Sequence, residues 1–508
     1  MKAYDYVVLG AGTAGCVVAA RLSEDRDVSV LLLEAGGDDR RPDVEDPASW
    51  AALQGTDADW AYETVVQPST GRAYPAPRGR VLGGSGSINC MTHLRGHRED
   101  YEEWARLGAH GWDHAGVLPY FKRSEDVPDG DPRYRGRGGP LHPRATGDPD
   151  PLALAFIEGA TRLGHRRTDD FNAAEMEGVG FTESLIFDGR RESTATAYLR
   201  PAMERPNLTV LTDSTALGLV IRNGRCEGVL FQRGDATEAA AAGEVVLCAG
   251  AVGSPHLLML SGIGPAKDLE AAGVDVACDL PGVGRNLQDH ILLAGIRYRP
   301  ERSPAGTGTD GATLLARADG GWHGPDLHLS AMNFDYHLEW QEPAPGGITF
   351  GIGQMRPRSR GTVRIVSSDP AVAPLIDPAY VCEDHDLQQL ITGIEMVDAI
   401  VQTGVYDDWG GESDTTTLLK LDRTELEHAV KESISSYFHL SGTCRMGDDE
   451  DAVVDPHLRV RGVRGLRVAD ASVMPTVVSC NTNAAAVMIG EKAADLLRGQ
   501  NLGRVDDE

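Results

Sequence analysis

The first apolar run of the chain, Tyr4-Asp5-Tyr6-Val7-Val8-Leu9, is short and meets a glycine at once, the pattern of a buried strand ending in a tight turn. Cys16 to Leu22 then carries apolar residues at helical spacing, and Val28 to Leu33 returns to a strand. Residues 4 to 34 therefore predict strand, glycine turn, helix and second strand, a βαβ opening. The polar, Asp- and Pro-containing stretch that follows, to about Thr70, is too long for an ordinary connection and predicts an excursion over the surface or over a ligand. Residues 100 to 123 predict helix interrupted at Gly108 to Gly111, and 124 to 150 predicts loop. Short β-branched runs at Leu208 to Leu211, Leu217 to Ile221 and Val245 to Cys248 can extend the first sheet. The region from about 295 to 440 mixes strands, at Thr349 to Ile352 and Thr362 to Val366, with a helix near Leu387 to Val401, and is assigned to a second domain. A helix is expected from Ala484 to Leu497, and the acidic Val505 to Glu508 end is expected to be a frayed tail.

Length and charge narrow this picture. At 508 residues, two domains are the default expectation. The balance of 76 acidic against 48 basic residues, a formal charge of −28, argues against a nucleic-acid or anionic-membrane partner. The eight cysteines are dispersed, without a CxxC pair or zinc-like clustering with histidines, so reduced thiols and no metal are expected. No basic region, apolar segment and small-residue cleavage site precede Tyr4, and stretches such as Val245 to Ile263 are interrupted by Gly, Ser, Pro and His, so no secretory signal or membrane span is read. A cytoplasmic protein is expected.

Three glycine-rich motifs carry candidate chemistry. Gly10-x-Gly12-x-x-Gly15, with Thr13 and Ala14 between, stands where a strand passes into a helix. This arrangement lets backbone approach a pyrophosphate at a helix N-terminus. Glu34, at the end of the second strand and followed by Ala35, suits a carboxylate accepting from ribose hydroxyls. These residues leave NAD and FAD equally open. A second run, Arg78 to Asn89, contains Gly83-Gly84-Ser85-Gly86 and exposes backbone N–H groups to a planar or anionic ligand. A third, Gly250-Ala251-Val252-Gly253-Ser254-Pro255-His256, continues through Ser261-Gly262-Ile263-Gly264.

Residues 250 to 264 resemble the second signature of the glucose-methanol-choline (GMC) oxidoreductase family, and residues 78 to 96 resemble its first. Gly282-Val283-Gly284-Arg285-Asn286-Leu287-Gln288-Asp289-His290 is similar to a recurring loop of that family, and so is the block from Val468 through Asn481-Thr482-Asn483 to Lys492. The resemblance implies an α/β fold: a discontinuous Rossmann-type FAD-binding domain (1–150, 205–295 and 445–508) with an inserted α+β substrate domain (151–204 and 296–444) containing a mostly antiparallel sheet. It selects FAD over NAD. It implies cofactor contacts at Gly10, Gly12, Thr13, Ala14, Gly15, Glu34 and Ala35, at Val81, Gly84, Asn89, Cys90, Met91 and Thr92, at Ala216, and at Asp470, Ala471, Thr482 and Asn483. Ile88 stands where some members carry a histidine that attaches FAD covalently, so noncovalent FAD is expected.

Phe438-His439-Leu440-Ser441-Gly442-Thr443 looks like the family segment that bears its active-site histidine, and the usual partner position falls on Asn481. The resemblance implies that His439 takes a hydroxyl proton while hydride passes to flavin N5, with Asn481 orienting the alkoxide. The asparagines at 481 to 483 could also cap the last helix. The same family includes flavin-containing hydroxynitrile lyases, a second reading of the same histidine. A noncatalytic nucleotide-binding module, the third class, would be expected to lack His439 or its partner. Aromatic residues Trp322, Phe334, Tyr336, Trp340, Phe350, Tyr437 and Phe438 could line a substrate pocket or serve as core. The C-terminal block is similar to those of aryl-alcohol and hydroxymethylfurfural oxidases, and choline remains possible. The substrate alcohol, the acceptor (oxygen or another) and the oligomeric state stay open.

Overall fold

The structure, a computed structural model, describes residues 2–145, 147–302, 311–318, 322–343 and 347–500; the expected tail at Val505 to Glu508 lies outside them. Its first sheet is built on the predicted opening. Lys2–Leu9 lies between Val30–Leu33 and Ala236–Leu247, parallel to both, and Leu208–Leu211 adds a parallel strand beyond Val30–Leu33. The apolar runs are explained by burial on both faces: Val7, Val8, Leu9 and all of Val30–Leu33 are buried. Ala236–Leu247 is longer than predicted because its far edge serves two further partners. Its first half pairs antiparallel with Arg225–Arg233, itself paired with Ser214–Arg222, and its last three residues pair parallel with Leu466–Val468. The chain thus returns to its first sheet after more than two hundred residues.

The residues between supply a second sheet in which every pairing is antiparallel. Leu327–Met332 and Ile348–Gln354 lie at its centre, flanked by Ala312–Ala316, Gly178–Phe181, Ile291–Leu293, Arg297–Arg299 and Ile434–Ser436. The helices Pro151–Arg162 and Asp384–Ile400 cover it, and Phe156, Leu329, Phe350, Ile352, Leu390 and Ile394 share the resulting core. The fold is thus the expected mixed α/β type, with a nucleotide-binding sheet and an antiparallel second sheet. Two seams fall inside the expected ranges: residues 195–202 pack in the first core, beside the first helix, and Ile291–Leu293 joins the second sheet.

The last helix, Asn483–Arg498, packs along the first, Thr13–Leu22, so both ends of the chain build one layer. Glu491, fully buried, fixes this contact. It accepts from Arg21 (Nη2, 2.8 Å), from Arg123 Nε (2.7 Å) and from the Tyr198 hydroxyl (2.7 Å). Replacing it would take the buried carboxylate from two arginines that are three-quarters or more covered, leaving Arg21 with Glu24 and Arg123 with Asp495. Glu491→Ala is therefore expected to lower stability by about 3 kcal/mol, read as a fall in the urea midpoint with little change in slope.

Candidate active site

A single cavity of about 1310 Å³ runs from the glycine turn of the first strand to His439 and Asn481, lined by both sheets. It exceeds the roughly 300–1,000 Å³ of a common small-ligand pocket, which suits a long cofactor and a substrate together. At one end the turn is forced by contact. Gly10 has φ +98°, and a Cβ there would stand 2.6 Å from the Cys248 carbonyl oxygen. Gly12 is different: a Cβ would meet only that same oxygen, at 3.8 Å, so its backbone is small by function rather than by packing. The helix that starts at Thr13 has no side-chain cap, which leaves its first N–H groups and its partial positive charge facing the cavity.

Glu34 is buried on the cavity wall, and its two oxygens each accept a backbone N–H at 2.8 Å, from Ala11 and from Gly36. Burial pushes its carboxyl up to about 7, against the pull of those hydrogen bonds. Over the turn lies the second glycine run, here a short 3-10 helix, Gly84–Ser87. Gly83 N–H donates to the Ala11 carbonyl (2.7 Å), and Gly84, at φ +56°, sits so close that a Cβ would be 2.6 Å from Gly12 Cα. The excursion after the second strand returns over the cavity, where Trp50, Trp60 and Tyr62 form part of the wall.

Most expected cofactor residues meet on this wall. Gly10, Gly12, Thr13, Ala14, Glu34 and Ala35 line it from the first motif, and Gly84, Asn89, Cys90, Met91 and Thr92 from the second. Ala216, Asp470, Ala471, Thr482 and Asn483 line it from the later segments. Gly15 and Val81 do not. Gly15 is pressed against the Gly10 carbonyl, where a Cβ would be 1.9 Å from the oxygen, and so serves helix-to-strand packing. Val81 is buried with Val44, Leu53, Ala58 and Ile88 beneath the excursion. Asn89 turns its side-chain oxygen to Met91 N–H (2.9 Å) and so braces its own loop. Asp470 accepts from Gly250 N–H, Ser254 Oγ and Ser472 N–H, joining the third glycine motif to the C-terminal block. The last helix has no side-chain cap at Thr482. Asn483 Oδ1 instead accepts from Thr13 Oγ1 (3.0 Å), so it links the two helix N-termini.

At the other end His439 and Asn481 are brought together, with His439 Nε2 3.3 Å from Asn481 Nδ2. The loop carrying the histidine is pinned on several sides. His439 N–H donates to Asp289 Oδ1 (2.7 Å), while Asp289 Oδ2 accepts from Tyr380 and Ser436 hydroxyls, both at 2.5 Å. Phe438 is held in the left-handed region (φ +64°), with its carbonyl accepting from Arg78 Nη1 at 2.7 Å and its N–H donating to Ser436 Oγ at 2.8 Å. Behind the His439 ring, His290 Nδ1 lies 2.9 Å from His439 Nδ1, and Tyr437 stacks on His439 at 4.9 Å. Burial holds His439 well below the usual imidazole range, and the His290, Arg78 and His328 charges push the same way. His290 and His328 are also depressed by burial, to about 3 and about 4.

The ring nitrogens sort themselves from these contacts. With the Asn481 amide nitrogen facing it, Nε2 of His439 takes the acceptor role and turns its lone pair to Asn481. That tautomer puts the proton on Nδ1, facing His290. His290 was legible as the last residue of the Gly282 to His290 stretch, but nothing in that stretch said that it meets His439. His328, which also lines the cavity, gave no signal beyond being a histidine in a strand. Of the candidate aromatics, Phe334, Tyr336, Tyr437 and Phe438 line the cavity. Phe350 is core, Trp322 packs on Arg356, and Trp340 covers Arg72.

This geometry has close counterparts. The two family models of the GMC oxidoreductases match residues 4–292 and 357–490. An oxygen-dependent choline dehydrogenase of Rhizobium etli is 38% identical, over 99% of this chain and 97% of its own length. One from Sinorhizobium fredii is also 38% identical with the same coverage. Among solved structures, pyridoxine 4-oxidase from Mesorbium loti superposes with a TM-score of 0.92 at 36% identity, covering 98% of this chain and all of that one. Aspergillus oryzae RIB40 formate oxidase gives 0.89 at 27%, covering 98% of each chain. The chain belongs to the GMC oxidoreductase family. It is an FAD-dependent alcohol oxidoreductase, acting on CH–OH donors.

The residues present fit FAD. Two uncapped helix N-termini and a buried acid at the end of the second strand face one elongated cavity, and Gly12 leaves its near wall open. Because Gly84 closes directly on Gly12, Gly84→Ala should push the second glycine run off the first. The expected result is protein purified with a markedly lower flavin-to-protein absorbance ratio, and wild-type loading would contradict it.

Proposed function

We propose that this enzyme oxidises an alcohol to an aldehyde or ketone, with His439 as the general base and Asn481 as the group that orients the alkoxide. The observation that carries this reading is the Asn481–His439 pair, 3.3 Å apart on the cavity wall, with a lone pair on Nε2. An alcohol oxygen placed between them gives its proton to Nε2 and accepts from the Asn481 amide. FAD held in the cavity would supply the two-electron acceptor for the carbinol hydride. Oxygen or another acceptor then receives the electrons. His290 is a positioning residue: by accepting from Nδ1–H it keeps Nε2 free for the substrate. We read the first sheet and its helices, 1–150, 205–295 and 445–508, as the FAD-binding part, and 151–204 and 296–444 as the substrate part, with the two seams noted above exchanged.

Noncovalent FAD is supported by the side chain at 88, an isoleucine that has no nucleophile and is 5% exposed. Acid precipitation should therefore release all of the flavin into the supernatant; flavin that stays with the protein would refute this. His439→Ala should slow anaerobic flavin reduction by alcohol about a hundredfold or more, with FAD still bound; an unchanged rate would remove the base assignment.

The pH dependence follows from the burial of His439. An imidazole is a competent base above its pKa, and this one is held well below 6.5, so the reduction rate should be flat from neutral pH upward and fall only well into acid. His290→Leu removes the group hydrogen-bonded to Nδ1 and one that is electrostatically coupled to the ring, so the acid limb should shift while the limiting rate falls. A merely structural role for His290 would lower activity without moving the limb.

A further inference from the structure

Two guanidinium groups at the His439 end of the cavity are bonded only to neutral oxygens. Arg78, on the wall, donates from Nη1 to the Phe438 carbonyl (2.7 Å). Arg191, 5% exposed on the short strand Arg190–Arg191, donates from Nε to the Val44 carbonyl (2.9 Å) and from Nη1 to the Asn89 carbonyl and Oδ1. Arg78 Nε, Arg78 Nη2 and Arg191 Nη2 are buried without a hydrogen-bond partner, and among the described residues neither arginine makes an ion pair. Arg191 stands directly behind the wall. Its partner Asn89 lines the cavity with Cys90 and Met91, and Cys90 is within electrostatic reach of Tyr437, the ring stacked on His439.

The acids within electrostatic reach are Asp289 and Asp59 for Arg78, and Asp46 for Arg191, and each is committed to other donors. Asp289 holds His439 N–H and two hydroxyls, Asp59 holds the backbone N–H groups of Gly55 and Arg78, and Asp46 holds Ala48 N–H and Ser49 Oγ. Asp289 and Arg78 grip opposite ends of one peptide unit, the His439 N–H and the Phe438 carbonyl. The positive end of that arrangement is the one on the cavity wall. Burial lowers the pKa of both guanidiniums, that of Arg191 to about 10, and leaves them charged at neutral pH. A buried cation with only neutral partners is costly, and the cost is offset when negative charge appears beside it.

We propose that Arg78 and Arg191 set the reduction potential of FAD held in the cavity. A hydride brings the isoalloxazine ring one hydrogen and two electrons, so the ring gains one negative charge unless a proton follows. Two fixed cations at that end stabilise the charged, reduced form and leave the neutral, oxidised form unaided. The inference rests on the reading that places hydride transfer beside His439, and it adds to that reading a thermodynamic role distinct from proton transfer.

The test is the midpoint potential of the flavin in the purified holoenzyme, measured by slow anaerobic reduction against a reference dye with no alcohol present. Arg78→Met and Arg191→Met should each lower the equilibrium constant for two-electron reduction about tenfold, a fall of about 30 mV. Arg78→Lys and Arg191→Lys should recover most of it, a recovery with charge that altered packing would not give. An unchanged potential in both Met variants would overturn the inference, and so would Lys variants no higher in potential than their Met counterparts. Where a Met variant does not retain flavin, Arg78→Gln or Arg191→Gln is compared with the Lys variant, and equal potentials overturn the inference. Because no alcohol is used, an unchanged alcohol reaction in His439→Ala would remove the base assignment and leave these potentials as they are.

Discussion

The contact between the first helix and the last is the constraint on which the site depends. Thr13 and Asn483, 470 residues apart, are joined by a side-chain hydrogen bond where two uncapped helix N-termini meet the cavity. Further along, Glu491 holds Arg21 from the first helix and Arg123 from a third. Two consequences follow from one packing arrangement. The helix dipoles converge on the cavity, where they suit an anionic cofactor, and Asn481, two residues before the last helix, is delivered to His439.

The second requirement is to bury a base without charging it. His439 is buried against a tyrosine ring and two imidazoles, and burial above all, with the Arg78 guanidinium, opposes protonation of the ring. Its backbone, by contrast, is tied to an acid: Asp289 takes the His439 N–H and two hydroxyls but does not touch the ring nitrogens. The carboxylate therefore fixes the loop while leaving the imidazole poorly basic in its resting state. As the proposed base, such an imidazole would be neutral at working pH and gain its proton only as the substrate gives it up.

The two sheets divide the cavity's chemistry by their geometry. Parallel strands covered by helices end in loops whose backbone N–H groups face a cofactor, which is why glycines dominate that wall. The antiparallel sheet offers side chains at every second position, so His328 and Ser330 can face a ligand while their neighbours make core.

The sequence alone determined the strand, glycine turn, helix and acid of the opening, because those elements are written in local periodicity and in glycine spacing within 30-odd residues. It also singled out His439 and Asn481, through motifs rather than through any contact. What it could not place were residues whose meaning depends on who arrives opposite them. Val81 and Gly15 carry motif positions yet pack away from the cavity, His290 sits in a motif that did not say it meets His439, and His328 and Trp50 line the cavity with no local signature. Only tertiary structure decided those, because a hydrogen bond such as His290 to His439 spans 149 residues and leaves no trace in the spacing of either one.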